Sequence, residues 1–380
     1  MGKAKKGFKL KYYINYIAVG LFLIISSILF YTGNLSRSDT SLFIQIGYSI
    51  ILAVSLNLVV GFLGELSLGH AGFMCVGANI GCYIALQILP IVQNKLLVLI
   101  IGMLIGGLSA AVFGLIIGLP ALRLKGDYLA IVTLAFGEIV RTIVKNLPFF
   151  GGAKGFKTTD MKYGSSLFIV AFVVVLVMLF IVQNFIRSKH GRAVTAIRDN
   201  EIAAKAMGIN VTYYKLFIFV LSAFFAGVAG VIYGSNVSPV VYTTFDYNYS
   251  IEILVMVVLG GMGNISGSII SAALLTFVNV KLTALGGDLA ALKYLIYSII
   301  LIVMVMFNNA PAFIPVRDKI FGFFRAIFKG KKQKTSADIN DDEAMWDRVP
   351  TKINMDAVLS TDLTPDTSYV PDKKDKGGQN

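Results

Sequence analysis

Few residues of this 380-residue chain could do chemistry, and most of those lie within or between long apolar runs. Glu65 and His70, with Ser67 between them, fall in Gly61-Phe-Leu-Gly-Glu-Leu-Ser-Leu-Gly-His-Ala-Gly72. Glu138 and Arg141 interrupt a second run and Glu252 a third. Ionisable groups are costly at membrane depth, so there they bind an ion or polar solute or pair with one another. Glu138 and Arg141, three apart, can pair on one helix face and read as structural. Glu65 lies near the membrane boundary, where helix capping and substrate contact are both open. His70 is either part of a solute path or hydrogen-bonded packing. Glu252 lies near the outer end of its run, facing either water or a solute. Asn57 and Asn79 are placed to bond across helices.

The remaining charged feature is Gly191-Arg-Ala-Val-Thr-Ala-Ile-Arg-Asp-Asn-Glu-Ile-Ala-Ala-Lys-Ala-Met-Gly208, set between two long apolar runs. It reads as a compact helical loop at the membrane surface. Asp199 or Asn200 can cap a helix start. Glu201 and Lys205 form a favourable i,i+4 pair. Gly208 supplies a left-handed stop, followed by Ile209. About two turns remain, on which Ile202, Ala203 and Ala206 make a small apolar surface suited to a groove on another protein. A loop of this kind is what a membrane subunit needs if a separate motor subunit is to push on it; a connecting loop that happens to be helical is the plainer alternative.

Other chemistries are poorly served. The sequence holds no G-x-x-x-x-G-K-[ST], so it has no P-loop for ATP. It has two histidines, with no His/Cys/carboxylate cluster at metal-ligand spacing. Cys75 and Cys82 are seven apart on one apolar helix, about 10 Å along its axis, which is too far for a disulfide. They read as packing residues. The formal charge of +13 does not indicate nucleic acid, because the Lys and Arg residues cluster at the ends of apolar runs, where they orient spans.

The elements that must position these residues follow from hydropathy. The chain is 56% hydrophobic and 14% charged, against about 25% charged in soluble domains. Apolar runs of about 20 residues, each long enough to cross a bilayer, recur throughout. We expect an all-α polytopic transmembrane helix bundle of 8–10 spans with re-entrant or broken helices. Ten spans can be drawn, at 14–32, 41–62, 66–89, 96–119, 127–146, 165–186, 213–235, 250–263, 266–285 and 291–309. The Glu138/Arg141 run and the short run ending in Gly260-Gly261-Met262-Gly263 are the weakest of these. Residues 1–13, rich in lysine, form a basic cytoplasmic amino terminus ahead of an uncleaved first span. With that end inside, the densest Lys/Arg clusters also fall inside, including the loop 187–212 and everything after Asn309. Residues 311–330 suit an amphipathic helix on the inner membrane surface, and 331–380 a disordered cytoplasmic tail. Small residues four apart, among them Gly77/Gly81, Gly102/Gly106 and Gly230/Gly234, indicate close helix packing.

Five segments in order resemble one family. They are Leu56-Asn-Leu-Val-Val-Gly61, Leu66-Ser-Leu-Gly-His-Ala-Gly72, Leu122-Arg-Leu-Lys-Gly-Asp-Tyr-Leu-Ala-Ile-Val-Thr-Leu-Ala-Phe-Gly137, Gly191 to Gly208, and Met256-Val-Val-Leu-Gly-Gly-Met-Gly263. Together, over about residues 45–310, they are similar to the LivM-type permease subunits of branched-chain amino acid ABC importers in the bacterial plasma (inner) membrane. The resemblance implies that Glu201–Gly208 is a coupling helix on cytoplasmic ATPase subunits, with Arg198, Asp199, Glu201, Ala203, Ala204 and Gly208 as its contact residues. It implies as partners a second homologous permease, two ATP-binding subunits and an extracellular substrate-binding protein, besides membrane lipid. ATP and Mg²⁺ would then enter through the partner chains, and this chain would bind no cofactor. Leucine, isoleucine or valine would pass by a route for which Asn57, Glu65, Ser67, His70 and Glu252 are the candidates. Urea or a short amide is the alternative cargo. A stand-alone secondary transporter, using Glu65, His70, Glu138 and Arg141 for ion coupling, is the competing class.

Overall fold

The computed structural model describes residues 14–31, 37–92, 94–124, 126–161, 163, 165–285, 295 and 299. Within these, the chain is helical and carries an isolated antiparallel bridge, Phe156 to Val240. The helices are α1 (Ile14–Tyr31), α2 (Arg37–Asn57), α3 (His70–Val76), α4 (Cys82–Ile88), α5 (Lys95–Ala121), α6 (Asp127–Asn146), α7 (Ser165–Arg187), α8 (Lys189–Asp199), α9 (Glu201–Ala206), α10 (Val211–Asn236), α11 (Tyr247–Gly260) and α12 (Ile265–Leu285). Among the described residues, six rods are long and apolar enough to cross a membrane: Ser38–Leu63, His70–Ile88, Lys95–Ala121, Ser166–Arg187, Val211–Asn236 and Ile265–Ala284. The predicted span 14–32 coincides with α1 and 127–146 with α6, while 250–263 overlaps the shorter α11. The predicted span 291–309, the basic start 1–13, the surface helix 311–330 and the tail 331–380 lie outside the described residues, apart from Leu295 and Ile299.

Two spans contain wide, π-helical turns. Helix α2 continues through a π-helical turn, Leu58–Leu63, and stops at Gly64, whose φ of 82° lies in the left-handed region. A second π-helical turn, Gly77–Gly81, joins α3 to α4. Such turns inside α-helices are local distortions that a straight apolar sequence would not require, and here glycine contacts accompany them. Gly77 lies against the Gly227 backbone of α10, and Gly230 against the Met74 carbonyl, with no room for a Cβ on either. Helix α10 is the centre of the bundle and packs along α5, α2 and α3. The predicted close-packing pairs Gly77/Gly81, Gly102/Gly106 and Gly230/Gly234 therefore line real helix seams.

Helix α6 shows why its sequence reads ambiguously. Leu129, Phe136, Val140 and Val144 are buried on one face, while Tyr128, Ile131, Ile139 and Ile143 are exposed on the other. Arg141 and Glu138 pair at 3.0 Å between the two, as their spacing predicts. Cys75 and Cys82 are free and buried. Asn79 differs from expectation. It lies within the π-helical turn Gly77–Gly81 and donates to the Cys75 carbonyl of its own rod at 2.8 Å rather than bonding across helices.

Candidate functional site: a helical loop tied to the bundle

Helix order gives the bundle two ends. Helices α7 and α10 deliver the charged stretch to one of them, and the residues around 147–164 and 237–246 lie at the other, joined there by the Phe156–Val240 bridge. The charged stretch holds two helices, not one. Ser188 caps α8 by accepting from His190 N and Gly191 N at 3.1 and 3.3 Å. Gly191, Val194 and Ile197 then turn inward at three-residue spacing. Asn200, rather than Asp199, caps α9: its Oδ1 accepts from Ile202 N and Ala203 N, each at 3.0 Å. Gly208, at φ 79°, ends α9, and Ile209 N closes back on the Ala204 carbonyl at 3.1 Å.

This loop is fastened to the membrane helices by charge. Lys205 pairs with Glu201 at 2.8 Å, and Glu201 also accepts from Lys215 of α10 at 3.3 Å. Lys215 donates in turn to Glu65. Its side chain is 5% exposed and that of Glu65 12%, so this contact lies at the buried root of the loop. The hydrogen bond from Lys205 and the nearby Lys215 charge hold the Glu201 carboxyl down at about 2. Glu65, a candidate for the solute path, thus sits in the anchorage of the loop, close to the interfacial role its position also allowed.

Arg198 makes the second fastening. Its Nη1 donates to the Gly61 carbonyl at 3.1 Å, while its Nε and Nη2 hold Asp199. Gly61 in turn abuts the backbone of Gly263, between α11 and α12. Asn57 bridges the same junction, accepting from Gly263 N at 2.8 Å and donating to Ser268 Oγ at 2.9 Å. A Cβ on Gly64 would meet Arg198 Cγ at 2.7 Å, and one on Gly72 would meet Gly137 Cα at 2.7 Å. Leu68 N donates to Thr133 Oγ1 at 3.0 Å. The segments ending at Gly61 and Gly263 therefore meet Arg198 at the loop end of the bundle, while the segments 66–72 and 122–137 meet each other.

The other candidates are dispersed. His70 is buried, and its Nε2 lies 2.7 Å from Ser55 Oγ, tying α3 to α2 in the bundle interior. Ser67 Oγ is buried with no hydrogen-bond partner among the described residues. Glu252 lies towards the opposite end, where it accepts from Asn279 Nδ2 at 2.7 Å. On the loop itself, Ile202, Ala203 and Ala206 are exposed, joined by Met207, which sequence reasoning missed; Ala204 is buried against the bundle and positions the helix instead. Ile202 and Met207 are 78% and 82% exposed, an outward apolar pair on a rigid, charge-anchored helix.

Comparison with known proteins decides the family. A model for "Branched-chain amino acid transport system / permease component" matches residues 40–305. The chain belongs to that permease family. It is 36% identical over 262 residues to the high-affinity branched-chain amino acid transport system permease protein LivM of Escherichia coli, covering 60% of this chain and 59% of that protein. Against the probable LivM of Methanocaldococcus jannaschii, identity is 29% over 273 residues, covering 62% and 78%. A ribose import permease protein, RbsC of Haemophilus influenzae, is 27% identical over 277 residues, covering 70% and 83%. The match thus spans about three fifths of the length of the E. coli relative. No solved structure matches.

Proposed function

We propose that this chain is the membrane-spanning permease subunit of an ATP-driven importer of branched-chain amino acids, of LivM type. The observation that carries this reading is the α8–α9 loop, whose outward Ile202 and Met207 stand on a segment tied to the bundle by the Glu201–Lys215 ion pair and the Arg198 hydrogen bond to the Gly61 carbonyl. In this reading α9 docks on two cytoplasmic ATP-binding subunits, which bring ATP and Mg²⁺. A second homologous permease completes the membrane unit, and an extracellular binding protein delivers leucine, isoleucine or valine. The chain lies in the plasma membrane, with both termini and the loop in the cytoplasm. It has no ATPase site of its own.

The geometry supplies a transmission. ATP-driven closure of the motor subunits presses on Ile202 and Met207. Asn200 and Gly208 keep α9 rigid, so the displacement reaches Arg198 and Glu201 rather than being absorbed in a soft loop. Arg198 carries it to Gly61 and the Gly263 junction, and Lys215 carries it to α10, the centre of the bundle. Small shifts at such a point can tip a packed bundle between two arrangements.

The test is uptake of labelled leucine by cells with and without the chain, using unlabelled valine, urea and ribose as competitors. Loss of an ATP-dependent, valine-competed component on deletion is the expected result. Unchanged leucine uptake, with loss of a urea-competed component, would move the cargo to urea or a short amide.

A further inference from the structure

Polar cavities mark both ends of the bundle. The far one lies between α2, α10, α11 and α12 and includes Glu252 and Asn279. The one at the loop end, about 360 Å³, lies where the end of α5 and the start of α10 meet α9. Its volume falls in the usual range for small-ligand sites, about 300–1,000 Å³. Three cations line it, Arg123, Lys205 and Lys215, against one carboxylate, Glu201. Glu201 is engaged by Lys205 at 2.8 Å and by Lys215 at 3.3 Å, and Lys215 also donates to Glu65. Arg123 is exposed and has no carboxylate partner among the described residues, so the cluster keeps a surplus positive charge. The turn that closes α5 sets its place: Arg123 N donates to the Pro120 carbonyl at 3.3 Å, and Leu124 N to that of Ala121 at 2.9 Å.

The other walls are mostly apolar. Leu119, Leu122 and Leu216 supply them, and Thr212 adds a hydroxyl. Leu119 also ends a row of exposed residues on α5, Leu104, Leu108, Val112, Leu115 and Leu119. Their spacing of three or four puts them on one helix face. The row is about 22 Å long at 1.5 Å per residue, enough to cross one leaflet of a hydrocarbon core about 30 Å thick.

We propose that this cavity holds the phosphate of an anionic phospholipid, with Arg123 and Lys205 on its oxygens and one acyl chain along the α5 row. Basic pockets between membrane helices suit such headgroups, and a guanidinium offers phosphate two parallel N–H donors. Lys205 has three donors, so it can keep Glu201 and still reach a second acceptor. The ammonium of a zwitterionic lipid would face three cations. Free phosphate would use the charge but leave the apolar row unfilled, as would an acidic segment of a partner protein. Because Lys205 belongs to α9, the bound lipid braces the loop at the membrane surface.

The test uses the full chain, purified in detergent together with its bound partners, and a phosphatidylglycerol carrying a diazirine in one acyl chain. Light should attach the probe to α5 between Leu108 and Leu119, read by peptide mass. Unlabelled phosphatidylglycerol should compete, whereas phosphatidylcholine of the same chains, and inorganic phosphate at the same concentration, should not. Arg123→Gln should raise the half-saturating probe concentration about fivefold or more, and Arg123→Lys should restore most of the binding. Arg192→Gln removes an exposed charge from α8, outside the cavity, and should change nothing. Equal competition by phosphatidylcholine, or equal effects of the two Gln variants, would reduce the site to ordinary annular lipid and overturn the proposal. Displacement by inorganic phosphate would make it a phosphate site instead. Absence of label from α5 would show that protein, not lipid, covers this face.

Discussion

Lys215 is the residue on which the loop's attachment depends. Its partners, Glu65 and Glu201, lie 150 and 14 positions away in sequence. A lone carboxylate in a glycine-rich break gives no hint of a lysine near the start of α10, so this contact was not legible in the sequence. Replacing Lys215 with Met leaves a largely buried Glu65 without its cation, a change that typically costs about 3–5 kcal/mol. We expect a marked loss of thermal stability in detergent. The Lys215→Met/Glu65→Gln double variant should lose less than the two single losses added, with a coupling of about 0.5–3 kcal/mol; simple additivity in a thermal-shift series would refute the pairing. Glu201 makes a separate prediction about pH. Its folded value is depressed, so its contribution is fully present above the unfolded value near 4.5 and fades as pH falls towards about 2. Loop protection in hydrogen exchange, corrected for intrinsic rate, should therefore be flat from about pH 5 to 8 in this respect and weaken only below that window. A change centred near neutrality would point to a different group.

Helices α8 and α9 show what pattern reading captures and what it loses. Asn200, Glu201, Lys205 and Gly208 are local signals, each acting within four residues, and the geometry of α9 follows them closely. Helix α8 was also present in the sequence, as Ser188 followed by inward residues at 191, 194 and 197, but its basic residues and glycine made it look like loop. Asn200→Ala removes two hydrogen bonds from the start of α9 and should cost about 0.5–2 kcal/mol, read as faster amide exchange at Ile202 and Ala203. Gly208→Ala meets no atom within 4 Å. Its penalty should be only that of a left-handed alanine, about 1–2 kcal/mol. If the Gly208 variant were far more disruptive in the isolated chain, the turn would be held by contacts other than backbone conformation. The π-helical turns were not legible, because the glycine contacts that accompany them, Gly61 with Gly263 and Gly77 with Gly227, join residues far apart in sequence.

Across the whole chain, hydropathy was enough to locate the helices from α1 to α12 that cross or line the membrane, since hydrocarbon demands long apolar helices with their backbone bonds satisfied internally. Pairing was beyond it. That Gly61, Arg198 and Gly263 converge at one end depends on how the rods pack, and single runs of similar composition do not encode their neighbours. The candidate solute residues divide accordingly: Asn57 and Glu65 lie in the coupling end, His70 in the interior and Glu252 at the far cavity. In the proposed account the loop receives force at one end of the bundle, and a polar cavity lies at the other. Its central claim is that the exposed apolar face of α9 transmits the drive. The direct measurement is ATP-dependent leucine uptake in proteoliposomes holding the complete importer, with Ile202→Asp/Met207→Asp in place of the native chain. Both side chains point away from the bundle, so the variant should assemble in the membrane as usual yet lose uptake by about tenfold or more, equivalent to roughly 1.4 kcal/mol. Uptake at the native rate would show that α9 is only a connector.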